Sequence, residues 1–271
     1  TFLFSLGPDH TGRAIKRIFR PGFFAKVRRT SVASHYGIRT LLYGTLLPGP
    51  DIGRRAGDVM RATAAAGHEV GIHCHDHIRW QDHVARRDAA WTRREMARAA
   101  AAFERVFGRP AHAHGAAGWQ INPHALAFEE EAGYRWASDT RGSSPFLPVM
   151  AGVASRCPQL PTTLPTLDEL LGLDDITAGN AHAHVLASSE RDLPAGHVYT
   201  LHAELEGMQL LPVMERLLAG WRQAGYAILT MDDVAGRLRS GSLPVHEVVW
   251  GEVSGRSGKL ALQGPQLAVA H

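Results

Sequence analysis

The sequence has 271 residues, which is enough for one large α/β domain or for two small ones. Hydrophobic residues make up 45% of it and charged residues 20%, a balance that is typical of a globular enzyme and excludes a disordered, collagen-like or disulfide-framed chain. The net charge of +3 gives no overall signal for nucleic-acid binding, and no apolar run reaches the roughly 20 residues of a membrane-spanning helix.

Strand-like and helix-like patterns alternate along the chain. In the first half they predict a strand at TFLFSL, a helix over residues 52–63 that stops at Gly67, a strand at HEVGIH, a helix over residues 96–107 closed by Gly108, a short segment at 112–115, a helix near 125–132 and a strand at YRWAS. In the second half, RCPQLPTTLPTLDELL is extended and then helical, and another helical stretch follows. HVYTLHA is a predicted strand, MQLLPVMERLLAGWRQAG a helix, and YAILTM a last strand before a short helix.

Repeated strand, loop and helix units favour parallel pairing, either in a barrel or in an open sheet, and both place chemistry at the carboxyl ends of strands. The polar candidates lie there: Asp9, His73, His77, Asp139 and His202 each follow or end a predicted strand. Residues 1–239 are predicted to form one domain. The glycine-rich residues 240–271 lack a clear period and are interpreted as a C-terminal extension with one strand at HEVVW.

Residues 71–80, GIHCHDHIRW, concentrate potential metal ligands directly after a predicted strand. His73 and His77 are four residues apart, so a turn of helix between them would bring both imidazoles to one ion. Taken alone, the pattern fits a solvated histidine-rich loop equally well. Asp76 could orient an imidazole or cap the turn, and Cys74 could be a thiolate ligand or a small buried residue.

Seven motifs occur in an order that resembles the polysaccharide deacetylases, the NodB-like metal-dependent amide hydrolases: FSLGPDHTGR, YGTLLPG, HEVGIHCHDHIRWQ, AAGWQ, SDTRG, PTTLPTLDE and YTLHAELEG. Within that family they are similar to the bacterial deformylases of 4-deoxy-4-formamido-L-arabinose-phosphoundecaprenol. The resemblance covers about residues 1–238. It implies a distorted (β/α) barrel and hydrolysis of a sugar formamide on a polyprenyl phosphate, a step in lipid A modification and resistance to cationic peptides.

The resemblance also implies roles for single residues. His73 and His77 match two ligands of a divalent metal ion, which could be zinc, manganese, cobalt or nickel, and His202 matches the general acid. Further residues are expected to contact the sugar, namely Ala117, Gly118, Trp119, Asp139, Arg141, Glu204 and Glu206. If His202 lies on a strand, Glu204 and Glu206 share its face, and one of them could pair with its ring; the alternative is a strand end with solvated carboxylates.

One departure from the family concerns its first strand. Family members begin with a strand carrying a D-x-D motif, whose aspartates supply the catalytic base and a third metal ligand, and no such motif occurs in this sequence. The chain opens without an initiator Met in a strand-like run, so we expect that a strand and a helix upstream are missing and that the barrel is incomplete. Two readings besides a deformylase therefore stay open: an N-deacetylase acting on an N-acetyl sugar, and an inactive remnant that binds sugar-lipid.

A basic segment over residues 13–29 holds seven Arg or Lys residues, no acidic residue and several interleaved aromatics. Arg13, Lys16, Arg17, Phe23 and Phe24 are predicted to contact an anionic membrane, because cationic and aromatic side chains together suit its interface. The alternative is a helix that packs its phenylalanines inward. With no signal peptide upstream, the protein would be cytoplasmic and peripheral on the inner face of the bacterial inner membrane. Neither a nucleic-acid partner nor an obligate protein partner is expected.

Overall fold

A four-stranded parallel sheet carries the candidate site. The computed structural model describes residues 1–14, 39–238 and 243–268. Its first sheet has the order β1–β2–β3–β4, formed by Phe2–Ser5 (β1), Val70–Cys74 (β2), Ala113–His114 (β3) and Trp136–Ala137 (β4). Since the strands are parallel, their carboxyl ends meet at one edge, which is where the sequence placed the polar candidates.

Helices connect and cover these strands, as the alternation in the sequence predicts. In the described residues they are Ile52–Arg55 (α1), Gly57–Ala65 (α2), His77–His83 (α3), Ala89–Phe107 (α4), Pro123–Glu131 (α5), Leu167–Leu170 (α6), Ala181–Ser189 (α7), Ala203–Glu206 (α8), Leu211–Gln223 (α9) and Met231–Arg237 (α10). The predicted α/β class is confirmed, and the described part of the chain contains no closed barrel.

The sequence of helix α4 explains where this helix begins and ends. Its first turn is capped by Asp88, whose side chain accepts from the amide of Trp91, and its last turn ends at Gly108 with a left-handed φ of 68°. Between these caps, Phe103 and Val106 are buried against the strand residues Val70 and Ile72. The helix therefore forms one side of the core and fixes the position of β2, which leads into the candidate metal ligands.

Two strand predictions are wrong. HVYTLHA and YAILTM run as extended chain over residues 197–202 and 226–230 without ladder hydrogen bonds. A strand pattern encodes apolar alternation, whereas a strand also needs a continuous ladder of backbone hydrogen bonds. In the first segment, the carbonyl of Val198 accepts from the amides of Thr163 and Leu164, but these contacts do not continue as a ladder. Their apolar side chains stay partly open to solvent, with Ile228 54% exposed and Leu229 39% exposed.

The chain beyond residue 243 joins a second sheet of order β6–β5–β7–β8, built from Leu147–Met150 (β5), Val153–Ala154 (β6), Val245–Glu252 (β7) and Lys259–Gln266 (β8). The strand predicted at HEVVW corresponds to β7, and β8 returns antiparallel to it as a hairpin. The boundary near residue 240 stays a prediction. The hairpin also contacts the segment that follows the first sheet, because Arg141, four residues beyond β4, bridges to Leu262.

Candidate active site

The predicted metal ligands His73 and His77 lie side by side. His73 is near the carboxyl end of β2, and His77 is the first residue of α3, so a strand end and a helix start deliver the two rings to the same place. Their ring centroids are 5.2 Å apart. The H-x-x-x-H spacing thus does bring the imidazoles together, although it spans a strand-to-helix junction rather than a single turn of helix.

The state of His73 suits a metal ligand. Its Nδ1 donates to the carbonyl oxygen of Gly115 at 2.6 Å, which leaves Nε2 with a free lone pair. Burial lowers the pKa of His73 to about 4, so the ring is neutral at physiological pH. A neutral, oriented imidazole is the form that coordinates a divalent cation, so the donors present fit such an ion, with two of the three protein ligands that a catalytic zinc site usually has.

The residues around this pair resolve the alternatives left open by the sequence. Asp76 caps α3 by accepting from the amide of Arg79 at 3.0 Å, and its second oxygen lies 2.6 Å from Nδ1 of His10. Cys74 is buried beside Ser5, and burial raises the pKa of its thiol to about 12. A thiol with so high a pKa stays protonated, so Cys74 is a small core residue and Asp76 is a helix cap.

His202 lines the same cavity of about 2010 Å³ as His73 and His77. It precedes α8, and its backbone carbonyl begins that helix by accepting from the amide of Leu205. Its ring nitrogen Nδ1 is buried, with Oδ1 of Asp168 3.7 Å away. Burial is the main cause of the lowered pKa of His73, and electrostatic interactions with His114 and His202 lower it further, as expected for imidazoles that lie near one another.

The roles suggested for Glu204 and Glu206 rested on a strand, and that premise is wrong. Residues 203–206 form α8, in which positions 202, 204 and 206 do not share a face. Glu206 is buried and accepts from the backbone amide of His202 at 3.0 Å and from the hydroxyl of Tyr199 at 3.1 Å. It therefore supports the main chain of His202 and does not pair with the ring, while Glu204 lines the cavity.

Asp168 and Arg256 were missed by the sequence reasoning. Asp168 lies in the first turn of α6, beside the capping-box residue Glu169, where an acidic residue signals only a helix start. Arg256 comes from the turn between β7 and β8 and forms an ion pair with Asp168 at 3.2 Å. Because 88 residues separate the two in sequence, no local pattern could have joined them.

Gly118 and Trp119 line the same cavity as His73, His77 and His202. Gly118 has a φ of 64° and Trp119 a φ of 52°, a left-handed conformation that a bulky residue adopts only when its surroundings hold it. Two guanidinium groups contact the indole of Trp119, with Arg141 5.0 Å and Arg256 4.6 Å from the ring centroid. These two cation–π contacts hold the ring in place at the wall of the cavity.

Three other predicted contact residues lie behind this wall. Ala117 and Asp139 are fully buried, and Arg141 is held by Glu169 and by the carbonyl of Leu164. The carboxylate of Asp139 accepts from the amide of Ala116 at 2.8 Å and from Gln159 at 2.7 Å. These groups are saturated by protein partners, so the structure places them as supports of the groove.

Asp139 belongs to a buried cluster with His114 and Glu129. Nδ1 of His114 lies 2.7 Å from Glu129 and 3.1 Å from Asp139. Burial alone would lower the pKa of His114, but the two carboxylates outweigh it and raise the pKa to about 10. The ring is therefore an imidazolium that neutralises buried acid, which agrees with a structural rather than a ligand role for His114.

Comparison with known proteins decides the family. No protein-family model matches the chain. Over 267 residues it is 34% identical to the probable 4-deoxy-4-formamido-L-arabinose-phosphoundecaprenol deformylase ArnD of Shewanella sediminis, covering 98% of this chain and 85% of that protein. The chain belongs to this deformylase family. A protein of the same name from Wigglesworthia glossinidia brevipalpis is 27% identical over 264 residues, covering 97% of this chain and 91% of the relative.

A solved structure supports the fold. A Mycobacterium smegmatis protein whose name assigns it to the polysaccharide deacetylases superposes with a TM-score of 0.58 at 18% identity, covering 93% of this chain and 94% of that one. At that identity the likeness concerns the fold alone. Together with the deformylase relatives, it confirms the family and the fold that the seven motifs predicted.

Most of the residues predicted to contact a membrane lie outside the described part of this deformylase homologue. They are Lys16, Arg17, Phe23 and Phe24. Arg13 is described, and its Nε donates to the carbonyl of Gly44 at 3.0 Å. Within the described ranges, every helix is too short or too polar to cross a bilayer.

Proposed function

We propose that the protein is a metal-dependent deformylase. Its substrate is 4-deoxy-4-formamido-L-arabinose linked through phosphate to undecaprenol, and its products are formate and the 4-amino sugar used to modify lipid A. The observation that carries the proposal is the meeting of His73, His77 and His202 at one cavity, in a chain 34% identical to a deformylase over 98% of its length.

His73 and His77 would hold a divalent cation, from the group zinc, manganese, cobalt and nickel. Such a cation, when bound, polarises the formyl oxygen and acidifies a water molecule. The contribution of the chain is to hold the ligands ready. The hydrogen bond from Nδ1 of His73 to Gly115 fixes the tautomer and the ring plane, and the low pKa of about 4 keeps a proton from competing for Nε2.

His202 supplies the proton that the departing amine needs. An amine is a poor leaving group, so the C–N bond breaks only if its nitrogen is protonated as the bond lengthens. The carboxylate of Asp168 lies 3.7 Å from Nδ1 of His202, which leaves Nε2 as the ring nitrogen that would hand over the proton. Glu206 and Leu205 hold the backbone of His202 through its amide and its carbonyl, so the ring is anchored from both sides.

The sugar would lie against Trp119, whose left-handed backbone and two arginine contacts keep the indole in the groove wall. An aromatic face and a nearby ring of polar groups are the usual way in which proteins bind a pyranose with both apolar and hydroxyl faces. Gly118 completes the wall, since a Cβ there would meet the side chain of Gln81 at 2.5 Å.

The test is release of formate by the full-length protein from a polyprenyl phosphate that carries 4-deoxy-4-formamido-L-arabinose. We expect that chelation abolishes the release, that a divalent metal restores it, and that His202→Asn lowers kcat by about 10²- to 10⁴-fold. His124→Ala, on the exposed side of α5, is the matched control and should keep full activity. Release of acetate from the N-acetyl analogue without release of formate would make the protein a deacetylase, and release of neither would reject hydrolysis.

We further propose that the basic segment over residues 13–29 brings this cytoplasmic enzyme to the inner face of the inner membrane, where its lipid-linked substrate lies. Seven basic residues without an acidic one support this, since each basic residue near an anionic surface contributes about 1 kcal/mol. The double variant Phe23→Ser, Phe24→Ser should sediment less with anionic vesicles, while neutral vesicles should retain neither form. Equal sedimentation of variant and wild type would reject the contact.

A further inference from the structure

The turn of the C-terminal hairpin lies against the carboxylates beside His202. Gly255 lies within that turn with a φ of 80°, and a Cβ there would lie 2.0 Å from the carbonyl oxygen of Glu169. Only glycine therefore permits so close an approach of the turn to α6. The next residue, Arg256, enters the site, where its side chain is 10% exposed.

The guanidinium of Arg256 contacts the carboxylates of both Asp168 and Glu169 in α6. Its Nε donates to Glu169 at 2.9 Å, while Nη1 and Nη2 lie 3.2 Å and 3.4 Å from the two oxygens of Asp168. A planar guanidinium that contacts both oxygens of a carboxylate fixes its rotation, which a single point charge cannot do. Thr166 adds one donor, at 2.6 Å from Oδ1 of Asp168.

These contacts of Arg256 determine which oxygen faces the ring of His202. Nδ1 of His202 is buried, makes no hydrogen bond to a described residue, and lies 3.7 Å from Oδ1 of Asp168. A rotation of the carboxylate would move that oxygen away and leave the nitrogen facing no acceptor. We propose that Arg256 is a positioning residue, which holds the carboxylate of Asp168 against the ring of His202. This inference rests on the proposed deformylase function.

A purely structural role is the alternative, because Arg256 also ties the hairpin to α6 and stacks on Trp119. The two roles predict different coupling. When Arg256 is replaced, Arg141 still contacts Glu169 and Trp119, so one of the two arginine contacts that hold Trp119 remains. An effect that passes through Asp168 must vanish when Asp168 is itself changed, whereas a structural effect persists.

The experiment is a double-mutant cycle on the full-length, metal-loaded protein with the lipid-linked formamido sugar. Arg256→Gln should lower kcat by about 10- to 100-fold, as removal of an orienting partner does, with a smaller change in KM. Arg256→Lys should recover part of the loss. In the Asp168→Asn background, Arg256→Gln should cause no further loss. Glu252→Gln, an exposed charge change on the same hairpin, is the control and should match wild type.

A second measurement does not depend on turnover. In the ¹⁵N spectrum of histidine-labelled protein, with the His202 signals assigned by their absence in His202→Gln, we expect the Nδ1–H tautomer in wild type and a mixture in Arg256→Gln. Equal losses of kcat in both backgrounds, or an unchanged tautomer, would overturn the positioning role. If wild type releases no formate, the deformylase assignment fails, and the tautomer still decides whether Arg256 orients the pair.

Discussion

Replacing Gly255 with alanine tests whether the hairpin must sit as close to α6 as the structure shows. The new Cβ would lie 2.0 Å from the carbonyl oxygen of Glu169, whereas ordinary contact begins at 3.4 Å. The hairpin would therefore have to retreat by about 1.4 Å, which exceeds the roughly 0.5 Å within which a functional constellation has to be held.

The expected cost has two parts. A left-handed φ of 80° penalises any residue with a Cβ by about 1–2 kcal/mol, and overpacking against a fixed backbone adds about 1–3 kcal/mol. Gly258 supplies the matched control, because its φ is 81° and a Cβ there would meet nothing within 4 Å. Gly258→Ala thus carries the backbone penalty without the clash.

Denaturant unfolding and formate release measure the two consequences. Gly255→Ala should lose more free energy of unfolding than Gly258→Ala by about 1–3 kcal/mol, and displacement of Arg256 should lower kcat by up to about 10²-fold. Gly258→Ala should keep kcat within a few fold. Equal destabilisation by both substitutions, or full activity of Gly255→Ala, would refute the close packing of the hairpin on α6.

Three further predictions concern the core of the site. His73→Ala should reduce bound divalent metal, measured by elemental analysis, and lower kcat by about 10²-fold or more, while His124→Ala should change neither. Trp119→Leu should raise KM more than it lowers kcat, since it removes a groove wall and not a reacting group; the reverse pattern would contradict this. The pKa of His114 is raised from 6.5 to about 10 in the folded protein, so its protonation stabilises the fold. This stabilisation is fully present below pH 6.5 and is lost as the pH rises through about 10. The stability difference between wild type and His114→Phe in urea should therefore shrink between pH 6 and pH 10, and a constant difference would contradict it.

Local rules account for much that was predictable. Helix α4 was recognisable because its caps and its apolar spacing lie within one continuous segment. His73 meets His77 because the chain turns from β2 into α3 between them. The strands at HVYTLHA and YAILTM were mispredicted because their apolar alternation says nothing about whether a neighbouring edge is available. The pairing of Glu206 with the ring of His202 failed with that assignment, since a helix turns the same residues onto different faces.

Asp168 and Arg256 could not be recognised from the sequence, for a different reason. Each looks ordinary in its own segment, one as a residue in the first turn of a helix and the other as a cation in a glycine-rich turn. Their relation exists only because β7 pairs with β5 and so carries the hairpin turn back to α6. A pattern search confined to neighbours in the chain cannot detect a contact that depends on sheet topology.

The buried cluster beneath the groove connects the core to the metal ligand through a series of hydrogen bonds. Asp139, held by His114, accepts from the amide of Ala116, and the preceding residue, Gly115, accepts from Nδ1 of His73. The orientation of His73 therefore depends on a carboxylate that never reaches the cavity. The amide of Ala116 and the carbonyl of Gly115 belong to one peptide unit, so removal of the Asp139 carboxylate should shift the acceptor of His73 as well as cost about 1–3 kcal/mol of folding free energy. Asp139→Ala should therefore lower both bound divalent metal and the free energy of unfolding, and a loss of stability with full metal binding would contradict a role in supporting His73.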